Sequence, residues 1–395
     1  MQRLYRGIAL AVADREVVRR IAGEGRLGRR LVRRFIAGET LAEALAAARA
    51  IARQGMTITL DQLGESVEDA ASVRAARDTA IDSLEELHRA GLEPNISIKL
   101  TMFGLDLDEQ AAVEQVAAVV AVADRVGGFV RIDMEGSDYT ERTITITERL
   151  HDRFPGAIGT VIQSYLYRSP EDVERLLRRG IRIRLVKGAY AEPATVAYTN
   201  GDDIDAAYGT LMRRLLDAGT YPALATHDPA LIAAARAHAK RHEIAPDRFE
   251  FQMLYGVRRD AQAALTRQGY RVRVYVPYGT EWYAYFSRRI AERPGNALFV
   301  ARQLLDGLPW PGRRGMAGTY KGSTGAHQVY CTSSGNQDWA LAPGMMDRRR
   351  GLSSSRSPSR RRHDRLLEGS GTIARRRFGR AEAADGGCPE RGYQT

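Results

Sequence analysis

Arg288 and Arg289 stand three and four residues after Tyr285, and Glu292 follows three residues later. If residues 281–293 form a helix, these four positions fall at i, i+3, i+4 and i+7, a single stripe. Two guanidiniums facing the same way repel each other unless an anion sits between them. A small carboxylate held by two planar forks would satisfy both. A solvated basic face on a surface helix would show the same spacing, so the other polar residues of the chain have to decide.

Those residues fall at the ends of short apolar runs. Read in order they are Asp61 and Glu65, Lys99, Asp133 and Glu135, Gln163, Arg184 and Lys187, Thr226 with His227 and Asp228, Gln252, and Tyr275. Lys99 has the chemistry of a Schiff-base lysine, an anion binder or a rim ion pair. Asp133 is placed to pair with Lys99 from the neighbouring run. His227 next to Asp228 looks like part of a metal site, but no second histidine ends a run, and no metal is expected there. Gly188, directly after a run, lets a ligand approach the backbone closely, and Lys187 beside it can meet a phosphate. A tight turn with a solvated lysine would read the same. None of these side chains can accept a hydride, so redox chemistry here requires an organic cofactor.

The elements that must carry these residues alternate. Eight runs rich in Val, Ile, Leu and Phe cover 56–60, 96–100, 129–134, 159–164, 181–186, 223–226, 249–254 and 271–277. Amphipathic helical patterns lie between them, clearest at 67–90, 108–126, 170–179 and 228–242, and two more precede the first run at 8–22 and 41–53. Strands buried on both faces between crossover helices have this appearance. Eight such units predict an α/β fold, a (βα)₈ barrel, although an open doubly wound sheet would alternate in the same way. In a barrel the C-terminal strand ends form the active site, which is where the polar residues collect. The sequence from Gly23 to Gly28 matches G-x-G-x-x-G. It follows a helical pattern where a dinucleotide loop needs a strand, so it is set aside.

The chain has 395 residues and a net charge of +11. From residue 308 onward there are sixteen Lys+Arg against seven Asp+Glu, so nine of the eleven surplus charges lie in the last 88 residues. That stretch also holds both cysteines, Cys331 and Cys388, and clusters such as Arg348-Arg349-Arg350 and Ser353-Ser354-Ser355. A disulfide framework, a zinc ribbon and a thiol nucleophile are thereby excluded from residues 1–307. The expected organisation is an N-terminal helical segment (1–55), a barrel (56–307) and a basic low-complexity tail (308–395). The tail's composition is that of a disordered segment or a shifted reading frame. It has no recognisable nucleic-acid module, and no nucleic acid is expected as a partner. No signal peptide and no run long enough to span a bilayer is read, which points to the cytoplasm.

In combination, these segments resemble the proline dehydrogenase family in its monofunctional bacterial form. The resemblance rests on Asp61-Gln62-Leu63-Gly64-Glu65, Ser97-Ile98-Lys99-Leu100, Arg131-Ile132-Asp133-Met134-Glu135, Val161-Ile162-Gln163-Ser164-Tyr165, Arg184-Leu185-Val186-Lys187-Gly188-Ala189-Tyr190, Ala225-Thr226-His227-Asp228, Phe251-Gln252-Met253-Leu254-Tyr255-Gly256 and the stripe from Tyr285 to Glu292. Each motif is short, but their order is specific, and together they run from about residue 5 to 305. The resemblance implies a distorted barrel that holds FAD noncovalently and oxidises L-proline to Δ1-pyrroline-5-carboxylate. Electrons would pass to a membrane quinone, with peripheral contact at the inner membrane face and a pyrroline-5-carboxylate dehydrogenase as a partner. It further implies that Lys99, Arg288 and Arg289 bind the proline carboxylate, that Tyr275 and Tyr285 line the ring pocket, and that Glu292 supports the clamp. Asp133 would organise the site as partner of Lys99, and Arg184 would lie near the reactive flavin nitrogen. Met134, Gln163, Lys187, Gly188, Ala189, Tyr190, Thr226 and His227 would hold the cofactor. The reading from another class is a non-flavin barrel lyase or hydrolase using Lys99 or His227.

Overall fold

The computed structural model describes residues 32–64, 67–283 and 285–286. The chain divides into two units, Met1–Arg314 and Gly315–Thr395, and every described residue belongs to the first. The expectations for the helical pattern at 8–22, the glycine-rich decoy, the stripe residues Arg288, Arg289 and Glu292, and the basic tail all fall outside the described residues.

Eight parallel strands close into a barrel in sequence order: β1 (Thr57–Gln62), β2 (Asn95–Ile98), β3 (Phe129–Ile132), β4 (Ile158–Gln163), β5 (Arg182–Val186), β6 (Ala223–Ala225), β7 (Glu250–Leu254) and β8 (Arg271–Tyr278). Closure comes from β8 pairing with β1, with Thr57 opposite Arg273 and Gln62 opposite Tyr278. This rules out the open doubly wound sheet. All eight expected strands form, with ends displaced by one or two residues. The largest effect is on Lys99 and Asp133, which lie one residue beyond β2 and β3 rather than inside them.

Among the described residues, α1 (Leu41–Ala52) lies just before the first strand and seven α-helices lie between successive strands: α2 (Ala70–Arg89), α3 (Glu109–Arg125), α4 (Thr140–Arg153), α5 (Ser169–Arg178), α6 (Gly201–Ala218), α7 (Pro229–Arg241) and α8 (Arg259–Arg267). Their starts are encoded locally. Thr40 and Glu43 form a reciprocal capping box on α1, and Asp69, Asp108, Asn200 and Asp228 cap α2, α3, α6 and α7 through side-chain oxygens. Each such cap is worth about 1 kcal/mol. The apolar stripes of the helices then bury residues such as Leu84, Val116, Ile144, Leu176 and Tyr208 against the outer face of the sheet.

Inside the barrel, alternate residues of each strand point at one another. The layer nearer the N-terminal strand ends is polar and closed. Arg273 is held by Glu250 at 2.9 Å and Glu93 at 2.8 Å, and Arg131 donates to the carbonyls of Arg182 at 2.7 Å and Thr160 at 3.1 Å. Gly159 makes this possible, because a Cβ there would collide with the Arg131 guanidinium and the Arg182 carbonyl. Burial, with Arg184 and Arg182 nearby, pulls the Arg131 pKa well below the usual arginine value. Above this floor the barrel opens toward the C-terminal strand ends.

One wall of the opening is built from a second apolar cluster. Val32, Phe35 and Ile36 pack with Leu63, Trp282, Tyr285 and Phe286. The segment is tied to β8 by Ala37 N–H donating to Pro277 O at 2.9 Å and Gly279 N–H donating to Gly38 O at 3.0 Å.

Candidate active site

The mouth of the barrel holds a cavity of about 1150 Å³. Pockets for a single drug-sized ligand run ~300–1,000 Å³, so there is space for a cofactor and a small substrate together. Every expected site residue among those described lines it: Lys99, Asp133, Met134, Gln163, Arg184, Lys187, Gly188, Ala189, Tyr190, Thr226, His227, Tyr275 and Tyr285. These residues come from six of the eight strand ends and from the segment after β8, over nearly 190 positions of chain.

A polar network forms the cavity floor. Asp133, just after β3, accepts from Arg184 Nη1 at 2.6 Å through Oδ1 and from the Tyr275 hydroxyl at 2.8 Å through Oδ2. Arg184, from β5, also donates through Nη2 to Ser97 Oγ at 2.9 Å, and its guanidinium carbon lies 5.2 Å from the centre of the Tyr275 ring. Strands β2, β3, β5 and β8 thus meet at one point. Burial, with Asp133 and Asp61 nearby, holds the Tyr275 pKa well above the usual tyrosine value, so the phenol keeps its proton and acts as a donor.

The expected Lys99–Asp133 ion pair is corrected by this geometry. Lys99 Nζ donates to Asp61 Oδ1 at 2.8 Å. Strand register puts Lys99 beside Asp133, since Ile98 pairs with Ile132. The Asp133 carboxylate, however, is occupied from across the barrel, by one guanidinium nitrogen of Arg184 at Oδ1 and by the Tyr275 phenol at Oδ2. Asp61, on the other side of Lys99 and 1% exposed, takes the ammonium instead. Desolvation pulls the Lys99 pKa down, but Asp61 and Asp133 outweigh it and leave it raised, so Lys99 is a cation. The sequence reading placed Asp61 at a strand end without a role; its register opposite Ser97 was the signal that it faces the cavity.

The opposite wall is a cradle of backbone. Gly188 has φ +136°, and a Cβ there would strike the Tyr165 ring. Gln163 holds the loop in place, donating from Nε2 to Glu135 O at 2.9 Å and accepting from Ala189 N–H at 3.2 Å. Lys187 is gripped by Asp205 and by Asp228 Oδ2, the latter at 3.0 Å. Thr226 Oγ1 accepts from Asp228 N–H at 3.1 Å. His227 Nε2 accepts from Leu254 N–H at 2.9 Å, so that nitrogen's lone pair is engaged by the backbone.

Buried polar atoms remain without a partner among the described residues, including Nε of Arg184 and Oε1 of Gln252, both on cavity-lining side chains. Such atoms are costly to bury unless a ligand meets them. Gln252 and Arg258 line the cavity without having been assigned a role from sequence. Arg258 has φ +49° and donates to His227 O at 3.1 Å.

Comparison with known proteins interprets this arrangement. The family model described as proline dehydrogenase matches residues 44–302. The chain belongs to the proline dehydrogenase family. It is similar to a proline dehydrogenase of Deinococcus radiodurans, 43% identical over 311 residues that span 78% of this chain and 100% of the relative. Proline dehydrogenase 1 of Bacillus subtilis is 40% identical over 273 residues, 69% of this chain and 90% of that one. Among solved structures, proline utilization A from Bdellovibrio bacteriovorus, inactivated by N-propargylglycine, superposes with a TM-score of 0.65 at 25% identity. That match takes in 77% of this chain but 38% of the larger protein. As a proline dehydrogenase, the chain is an enzyme that oxidises proline, the first step of proline catabolism. Among the described residues, no helix is long and apolar enough to cross a membrane.

Proposed function

We propose that this proline dehydrogenase binds FAD and L-proline together in the barrel mouth and forms Δ1-pyrroline-5-carboxylate. The observation that carries the reading is the division of one large cavity into a charged floor and a backbone-lined wall. The floor offers a fixed cation, Lys99, and a proton-bearing phenol, Tyr275, beside the Arg184–Asp133 pair. The wall offers a glycine turn held by Gln163.

Lys99 binds the proline carboxylate, with Arg288 and Arg289 completing the grip and Glu292 supporting them. Tyr275 and Tyr285 pack against the substrate ring. Asp133 orients both Arg184 and Tyr275 through its two oxygens, which makes it an organiser of the site. Oxidation removes a hydride from the ring carbon beside nitrogen and a proton from nitrogen, leaving a C=N bond. When bound, the flavin supplies the hydride acceptor. Arg184 provides fixed positive charge where negative charge accumulates, an electrostatic contribution that costs no reorganisation. The amine reacts in its neutral form and its proton leaves to solvent. Met134, Gln163, Lys187, Gly188, Ala189, Tyr190, Thr226 and His227 hold the cofactor. Lys187 can turn from Asp205 and Asp228 to a phosphate, its charge being already fixed. A membrane quinone then takes the electrons at the inner face of the membrane, and a pyrroline-5-carboxylate dehydrogenase consumes the product.

A Schiff-base lyase needs Lys99 as a neutral amine, whereas Asp61 and Asp133 hold it protonated. Anaerobic titration of the purified protein with L-proline tests the proposal. Flavin absorbance near the visible maximum should bleach in proportion to proline added. A colourless protein that also fails to take up added FAD would overturn it.

A further inference from the structure

A second cluster of ligand-type side chains lies away from the barrel mouth. His238 and His242 are four residues apart at the end of α7, the spacing that puts two imidazoles on one helix face. Asp217 faces them from the last turn of the neighbouring α6. His238 Nε2 lies 2.6 Å from Asp217 Oδ1, and His242 Nδ1 lies 4.0 Å from the same oxygen. The two rings stack with centroids 4.1 Å apart. One ligand atom from each residue falls within 4.8 Å of the others.

We propose that Asp217, His238 and His242 form a binding site for a divalent transition cation of the zinc class. Two imidazoles and one carboxylate suit zinc and its neighbours rather than magnesium or calcium, which prefer all-oxygen shells. Ligand atoms on a tetrahedral zinc at ~2.0–2.1 Å are roughly 3.3 Å apart, midway between the two distances found here. A rotation of the exposed His242 ring and a small withdrawal of Asp217 reach that spacing without moving a helix. His238 is buried and already pinned by Asp217, so two of the three ligands are preorganised. Both helices also direct the negative ends of their dipoles here, which favours a cation. Arg214, one turn before Asp217, is turned away by Glu174 at 2.5 and 2.8 Å. Three protein ligands leave one position for water. The ion would tie α6 to α7, a link between two crossover helices rather than a part of proline oxidation.

The test uses the full chain, free of any polyhistidine tag and treated with chelator, then dialysed against micromolar zinc chloride. The expected result is one bound zinc per chain, a thermal midpoint that rises with zinc, and a cobalt(II) form with the visible absorption of a four-coordinate site. His242→Ala, at a half-exposed position, should weaken zinc binding roughly tenfold or more and abolish the zinc-dependent thermal shift, with metal-free proline oxidation unchanged. Asp217→Asn serves as a second variant and should do the same. No zinc bound at 100-fold excess, or binding that both variants leave intact, would overturn the site.

Discussion

Arg184 and Asp133 are 51 residues apart in sequence and 2.6 Å apart in space, from Nη1 to Oδ1, with the second Asp133 oxygen accepting from Tyr275. One carboxylate therefore fixes the orientation of a cation and a phenol from opposite sides of the barrel. Lys99 is left to Asp61, so the floor contains two separate ion pairs where a single Lys99–Asp133 pair was expected.

Asp61→Asn should separate the two pairs functionally. Lys99 loses its charged partner while an amide of the same shape remains, and the lost charge-assisted bond is worth ~1.5–3 kcal/mol. The KM for proline is expected to rise roughly tenfold, with flavin content unchanged. Steady-state kinetics beside an absorbance ratio would show this, and an unaltered KM would mean that Lys99 is positioned by something else.

Arg288→Lys keeps a charge and removes the planar fork. If the stripe grips the proline carboxylate, KM should rise by roughly an order of magnitude while FAD stays bound. A value equal to that of the parent enzyme would place this side chain in solvent.

Gly188→Ala should act on the cofactor wall. The residue sits at φ +136° against the Tyr165 ring, so alanine must strain the backbone, displace the ring, or both. A cost of ~1–3 kcal/mol is expected from the backbone alone. Purified variant should carry less flavin and unfold at a lower temperature, and full flavin occupancy at an unchanged midpoint would contradict the role given to this turn.

Glu141 links Arg168 and Arg175 on the barrel's outer surface, and hydrogen bonds from Arg175 and then Arg168 lower its pKa from 4.5 to about 2. A carboxylate with a depressed folded-state pKa stabilises the fold above its unfolded pKa and loses that contribution as pH falls through the folded value. Glu141→Gln should therefore be less stable than the parent at pH 7, with the gap closing between pH 4.5 and about 2. The side chain is 56% exposed, so solvent screening keeps the gap below ~1 kcal/mol. Urea unfolding at pH 7, 4 and 2.5 would read the trend, and a gap that widens on acidification would reverse the assignment.

The expected helices left three elements unnamed, α4, α6 and α8. In α4, Thr140, Thr143 and Thr147 occupy buried positions, so the stripe is only partly apolar and weak in a hydropathy reading. Residues 187–200 between β5 and α6 form a long loop, which carries Gly188 to Tyr190 into the cavity and obscures where the helix begins.

By itself the sequence determined the eight strands, five of the helices between and before them, and most of the polar side chains that line the cavity at the strand ends. These follow from neighbours within one or two turns of chain: buried strands are continuous apolar runs, N-caps are adjacent to the amides they bind, and the residues just past a strand lie at its open end. Only the tertiary structure decided that the sheet closes, since that requires β8 to find β1 across more than 200 residues. It also decided which charges pair. Asp61, Lys99, Asp133, Arg184 and Tyr275 come from five strands and converge within one low-dielectric volume, where the winning partner depends on reach, on desolvation and on competing donors. None of those quantities is local to the chain.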